Sequence, residues 1–582
     1  MAGWSDIKRW KASNLDGFID AIISRKREAA SVADDTVAIT IETWEGEGAE
    51  AAQSTLTSLI ERGEKLQDNI QYLLTAASTA QDGIGDVETL VLEAQSRADH
   101  YGFVIAEDGS QVTDPELDSW WERFTSNMAA GQSHAYAAEL AERKGALKDT
   151  AEAVSNALSR ATEVDQAFCD ALGRISDDQV TAGMAAGSGL IPGLPESPST
   201  EEAAIWWDSL SKDEQDYYIE TYPELIGGMD GVDGWARHEA NEARLTEDLE
   251  EALEAQAGGD DSPELQAQID EMEALLGSLK PADGEVRQLL LYEPSTGEDG
   301  NYHMQAAVAV GDVDEADHIT TFVPGMTTTV HDSVGNYTAD LHNLNRVAQG
   351  KLDAMGGGET VASIAWLGYD APGSPTNMVL VDSMEDVMPG DVPLIIPQGT
   401  PEYPQPPLIY SVDPAIVSPA RAEQGGENLT SFIEGIHDSR THDTTNPAVT
   451  RDPHTSVLGH SYGSTTSSYG VADARPGTVD DYAAFGTPGV DGGSWNMNSG
   501  NNYVMNFENE ELIRYLNNPL RWISGIPDAG GLGVDPSQDP GFTTLDPGQA
   551  DPGTAHTQYL DDNSKSQSEL ADVVIGVAGN DD

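Results

Sequence analysis

From residue 1 to about residue 185 the apolar positions recur at spacings of three and four. Leu56, Leu59, Leu66, Ile70, Leu73 and Leu74 fall on one helix face by this rule. Alanine, glutamate, leucine and glutamine dominate and proline is nearly absent, so the stretch predicts long helices whose apolar stripe forms a bundle core. The first two helices are expected to end near Ile41 and restart near Glu50, with Trp44-Glu45-Gly46 as a tight turn between them. The stretch "GSGLIPGLPESPST", residues 187–200, ends the pattern. After it come short helices with serine and aspartate caps, then a charged helical pair read as a solvated arm or hairpin, up to about Lys280.

From residue 284 the period shortens. "EVRQLLLYE", "YHMQAAVAV" and "DHITTFVPG" are short apolar runs between Gly, Asp, Pro and Ser turns, and each predicts a strand. "TVASIAWLGYD", "TSVLGH", "DYAAFGTPG" and "NNYVMNF" add four more, with helical stretches such as "RAEQGGENLTSFIEGIHD" between several of them. This alternation predicts an α/β sheet, mostly parallel, with an antiparallel start. The expected organisation is a helical bundle over 1–186, a linker and helical connector over 187–280, and an α/β domain over 281–582. A proline-rich insertion after the fourth strand, within 383–410, is expected to form a lid, a pocket wall or a peripheral loop.

Composition narrows the function classes. The 582 residues are 38 % hydrophobic, ample for more than one core. With 29 basic against 101 acidic residues the net charge is −72. Phosphate backbones and anionic membranes repel such a surface, which argues against a nucleic-acid partner. No stretch has the apolar length of a membrane span, and "MAGWSDIKRW" lacks the apolar core of a secretory signal. The expectation is a cytoplasmic protein, or one exported without a cleavable signal. The single cysteine, Cys169, rules out an intrachain disulfide and is expected as a small core residue on a helix.

The chemistry concentrates in "TSVLGHSYGSTTSSYG", Thr455 to Gly470. A Gly-x-Ser-x-Gly match alone is weak. Here Val457 and Leu458 supply a strand, and Gly459 and Gly463 remove Cβ atoms where a strand and a helix would collide. Such a strand–turn–helix lifts the Ser461 hydroxyl clear of the sheet. A serine needs a histidine to take its proton, and in this architecture the chain order is Ser, acid, His. After Ser461 one histidine remains, His556 in "GTAHTQYL"; His460 adjoins the serine and is expected to point away. The acid should lie between them, past a strand end. "NNYVMNFENEELIRYL" offers Glu511 first, then Glu510 and Glu508, and Asp491 in "GTPGVDGG" is a further alternative. Two backbone N–H groups should bind the oxyanion: Tyr462, and Met326 or Thr327 in "TFVPGMTTTV". No cofactor is required. "HDSRTHDTT" gathers His437, Asp438, His442 and Asp443, with His454 after it, and reads as a solvated polar loop rather than a metal site.

Two resemblances follow from these residues. The Trp-x-Gly turn with long flanking helices resembles the WXG family of small helical proteins exported by type VII systems in actinobacteria. That implies type VII-like export and a helical partner or self-association through this module. "FVPGMTTTV", "AWLGYDAPG", "VLGHSYGS", "FGTPGV" and "HTQYLDDNSKS" look like successive signatures of an actinobacterial α/β-hydrolase family of largely unassigned function. The family implies an α/β-hydrolase fold with Ser461, an acid after the seventh strand, and His556. It usually has Gly-Asp-Pro where this chain has Glu510-Glu511-Leu512. The function expected is a serine hydrolase cleaving a small-molecule or lipid ester. The alternatives are an inactive hydrolase acting as an export-linked scaffold, and a peptidase or thioesterase with the same triad.

Overall fold

The three- and four-residue spacing of the N-terminal part becomes three long helices: α1 (Asp16–Val37), α2 (Glu47–Tyr101) and α3 (Ser133–Ser176). The computed structural model describes residues 3–37, 47–116, 133–177, 179–185, 194, 197–260, 262–280, 284–296, 302–372, 378–381, 392–400, 403–412, 418–444, 449, 451–508, 532–551 and 554–579. The Trp44-Glu45-Gly46 turn lies outside them. The chain divides into two compact units, one of Met1–Gln215 with His442–Thr445 and the other of Asp216–Thr441 with Asn446–Asp582. The connector expected over 187–280 is divided between them: helix Thr200–Asp208 falls in the first unit, and helices Gly234–Ala257 and Pro263–Ser278 in the second.

In the first unit, Val87 and Ala94 of α2 pack with Val154, Ala157 and Ala161 of α3 and with Trp4 and Ile7. Ile19, Ile22 and Ile23 of α1 pack with Leu74, Ala77 and Ile205. The leucine stripe is only partly a core: Leu74 is buried, whereas Leu59 and Leu66 are more than half exposed. Spacing puts residues on a common face but does not supply a partner for every turn of that face. Cys169 is exposed rather than buried. Val104–Ile105 and Val112–Thr113, labelled β1 and β2, form a two-residue antiparallel ribbon.

The second unit is built on an eight-stranded sheet. Its strands are β3 (Arg287–Thr296), β4 (Tyr302–Val310), β5 (His318–Val323), β6 (Val361–Leu367), β10 (His454–His460), β11 (Val479–Phe485), β12 (Ser499–Met505) and β13 (Thr543–Thr544). They are ordered β13-β12-β11-β10-β5-β6-β4-β3. The β3–β4 and β4–β6 pairings are antiparallel, and all the others are parallel. All seven strands expected from the sequence are present, including the antiparallel start. The two-residue β13 is too short to leave a periodicity.

Neighbouring residues alternate between the two sheet faces. Leu458, Phe322 and Phe485 join one apolar cluster, which also holds Leu245, Ile269, Leu344 and Leu570. Val457, Val323 and Ala484 join another, with Leu429, Phe432 and Val471. Helices therefore cover both faces, as a parallel sheet requires. The charged pair α5 (Gly234–Ala257) and α6 (Pro263–Ser278) packs an apolar face on the sheet through Leu245, Leu249, Ile269 and Met272, and is not a solvated arm. The proline-rich insertion supplies β8 (Val392–Thr400) and most of β9 (Tyr403–Val412), which pair antiparallel with each other, and β7 (Met378–Val381), just before it, pairs antiparallel with β9. Among the described residues no helix is long and apolar enough to cross a membrane.

Candidate active site

The parallel strand β10 runs between β5 and β11 and ends at His460. One residue later the chain enters helix α9 (Tyr462–Asp473). Ser461 makes the turn with φ 55° and ψ −130°, a left-handed conformation that costs a non-glycine residue of order 1–3 kcal/mol and persists where surroundings enforce it. The surroundings here are specific. A Cβ on Gly463 would come within 2.2 Å of the Val323 carbonyl oxygen and 2.3 Å of that of Pro324. One on Gly459 would come within 2.2 Å of Ser467 Oγ and 2.6 Å of Ser464 Cα. The Ser461 N–H donates to the Phe485 carbonyl at 3.0 Å, which ties the turn to β11. The serine is 4 % exposed.

His556 sits on the short turn Ala555–Thr557, reached from β13 through a loop. Its Nε2 lies 2.8 Å from Ser461 Oγ, although 95 positions separate the two residues. The structure therefore brings together the two residues on which the sequence reading centres. His460 does not point away from the site: its Nε2 lies 2.8 Å from the His556 carbonyl oxygen.

The loop after β5 closes the other side. Gly325 abuts Ser461, where a Cβ would meet Ser461 Cβ at 2.6 Å. Three hydrogen bonds fix the loop. The Tyr369 hydroxyl donates to the Pro324 carbonyl at 2.7 Å, the Thr328 hydroxyl to the Gly325 carbonyl at 2.8 Å, and the Thr327 N–H to the Pro372 carbonyl at 3.1 Å. Thr327 itself adopts φ 62°. Its N–H is thus engaged, while the Met326 N–H donates to no described residue. The Tyr462 N–H, at the first position of α9, is likewise without a backbone acceptor among the described residues. The Tyr462 ring is buried beside that of Tyr369, centroids 6.4 Å apart and nearly parallel, and its hydroxyl donates to the Ser418 carbonyl.

The four carboxylate candidates separate. Glu511 and Glu510 lie outside the described residues. Glu508 is exposed just past β12. Beside it the Phe507 N–H donates to the Tyr559 hydroxyl at 3.0 Å, and the rings are 4.5 Å apart. Phe507, just before Glu508, is thereby tied to the segment carrying His556. Asp491 is engaged elsewhere, accepting from Asn496 Nδ2 at 3.1 Å. Burial, with Asp473 and Glu423 nearby, raises its pKa. The histidines upstream are dispersed. His437 belongs to helix α8 (Ala420–His442) beside Asp438, which pairs with Arg475, and His454 opens β10 and contacts Asp481.

A family model described as "Alpha/beta hydrolase" matches residues 299–390 and 402–520. Over these residues the chain is similar to the alpha/beta hydrolase family. The matched residues include the β5 loop and the Ser461 turn and stop before His556. Over 429 residues the chain is 28 % identical to "Uncharacterized protein Rv2079" of Mycobacterium tuberculosis strain H37Rv, covering 66 % of this chain and 56 % of that relative's length. "Uncharacterized protein Rv0963c" of the same strain and "Uncharacterized protein Mb0988c" of Mycobacterium bovis are each 28 % identical over 246 residues, 41 % of this chain and 70 % of theirs. No solved structure gives a significant match.

Proposed function

We propose that the hydrolase unit is a serine hydrolase that cleaves an acyl ester by a Ser-His-acid triad. The observation that carries this reading is the 2.8 Å contact between Ser461 Oγ and His556 Nε2, made at a strained turn at the carboxyl end of a central parallel strand. Ser461 Oγ attacks the ester carbonyl carbon while His556 Nε2 takes its proton. The carbonyl π electrons move to oxygen, and the N–H groups of Tyr462 and Met326 bind that oxyanion. Met326 is preferred to Thr327 because the Thr327 N–H already has an acceptor. The C–O bond to the leaving group then breaks, and His556 returns the proton to the departing alkoxide. Water repeats the cycle on the acyl-enzyme, with His556 as base, and releases the acid. A glutamate of the 508–511 stretch, Glu511 first, orients the imidazole and balances its charge. The Phe507–Tyr559 bond favours this stretch over Asp491.

A fluorophosphonate probe tests the reading. Labelling of the wild type, abolished by Ser461→Ala and by His556→Ala, is the expected result. An unlabelled, folded wild type would overturn it in favour of a scaffold role.

A further inference from the structure

His460 and Ser461 are consecutive, and both grip His556. Ser461 Oγ meets the ring at Nε2, and His460 Nε2 meets the main-chain carbonyl, each at 2.8 Å. A carbonyl oxygen can only accept, so His460 carries its proton on Nε2 and donates it. The backbone bonds of the turn itself are local: Thr557 N–H to Thr554 and Gln558 N–H to Ala555. They shape the turn without anchoring it to the sheet. The His460 side chain reaches from the end of a central strand to the loop that bears the base.

Its surroundings hold the ring in place. It stacks on Phe485 with centroids 5.1 Å apart, lies 4.9 Å from the His556 ring and 5.8 Å from the Tyr559 ring. Gly486, at φ 53°, leaves room beside it: a Cβ there would sit 3.3 Å from the His460 ring atoms. We propose that His460 is a positioning residue of the hydrolase reaction, whose Nε2–H, bonded to the His556 carbonyl, sets the base at proton-transfer distance from Ser461. The proposal rests on the reading of Ser461 and His556 as nucleophile and base. Among the described residues, the titratable groups facing His460 are His556 and Tyr559. Burial, and secondarily the neighbouring His556, hold the pKa of His460 well below the ordinary histidine range. It therefore remains a neutral donor while the base cycles.

Three variants separate a hydrogen-bonding role from mere packing. His460→Phe keeps an aromatic ring against Phe485 and Tyr559 and loses the donor. His460→Gln keeps a donor. The expected result is a fall of about 10- to 100-fold in the limiting rate of fluorophosphonate acylation in His460→Phe, with the probe's half-saturating concentration unchanged, and partial recovery in His460→Gln. Ser461→Ala runs beside them. If Ser461→Ala abolishes labelling but His460→Phe reacts like wild type, the positioning role falls and the triad stands. If the folded wild type does not label, both fall. Ring-¹⁵N histidine NMR of the full chain gives a reading independent of activity. His460 should remain a neutral Nε2–H tautomer from about pH 5 to 9. An Nδ1–H tautomer or an imidazolium in that range overturns the proposal, and this holds even if His460→Phe fails to fold.

Discussion

A β-carbon placed on Gly325 would sit 2.6 Å from the β-carbon of Ser461 and 3.0 Å from its hydroxyl oxygen. The loop after β5 and the turn after β10 are therefore fitted to each other at the Ser461 side chain. Gly325→Ala is expected to displace one of them. Because the close contact is with the Ser461 side chain itself, the cost should fall on chemistry more than on folding. The prediction is a drop of about 100-fold in kcat/KM on a short-chain ester, with the denaturation midpoint nearly unchanged. Equal activity in a folded Gly325→Ala protein would count against the proposed nucleophile position.

Gly463 makes the complementary case. Its missing side chain faces the carbonyl oxygens of Val323 and Pro324, backbone atoms that cannot rotate away. Gly463→Ala must push α9 off the end of β5. The expected loss is about 3 kcal/mol, read as a shift in the urea midpoint at unchanged slope. Comparing the two alanine variants separates a glycine that makes room for the Ser461 side chain from one that makes room for a helix.

Much of this was legible beforehand, for physical reasons that can be named. Strand period and turn residues exposed the seven main strands. Gly459 and Gly463 flanked a serine where strand gave way to helix, and His556 was the one histidine after it. What escaped lay in tertiary contact. The ring of His460 turns toward His556, because the chain 96 positions on supplies a carbonyl there. Leu59 and Leu66 obey a helical spacing yet stay exposed, since periodicity does not say how far a partner helix extends. The charged pair α5–α6 looked solvated because glutamates outnumber its leucines, but a narrow apolar face sufficed to pack on the sheet. Prolines disguised β8 and β9: Pro393 pairs opposite Ser411 and Pro404 opposite Gly399 within strands.

Tyr369 offers a subtler test. Its hydroxyl donates to the Pro324 carbonyl, one peptide before Gly325. Its ring stacks nearly parallel to those of Trp366 and Tyr462. Burial holds the phenol pKa well above its ordinary value, so it stays a donor at working pH. Tyr369→Phe keeps the stack and frees the carbonyl. We expect kcat to fall about tenfold, equivalent to one hydrogen bond of about 1.4 kcal/mol, with KM little changed. A matching rise in KM would place the effect in substrate binding instead.

The last prediction concerns the helical unit, independent of any catalysis. Asp82 on α2 is largely enclosed, and burial raises its pKa from 3.8 to about 7; Asp86, Glu201 and Glu202 add to the rise and a bond with Ser199 opposes it. A carboxyl whose folded-state pKa exceeds its unfolded one penalises the folded state whenever it must ionise. The penalty is complete above about pH 7, shrinks as pH falls from there, and vanishes below the unfolded value near 4. The helical unit should therefore melt at a higher temperature at pH 5 than at pH 8, provided the net charge of the rest of the chain is controlled by a matched variant. Asp82→Asn supplies that match, since it cannot ionise and still hydrogen-bonds. It should stabilise the unit by about 2 kcal/mol at pH 8 and by little at pH 4, flattening the pH dependence seen by calorimetry. A destabilised Asp82→Asn at pH 8 would mean that the ionised carboxylate is favoured where it stands.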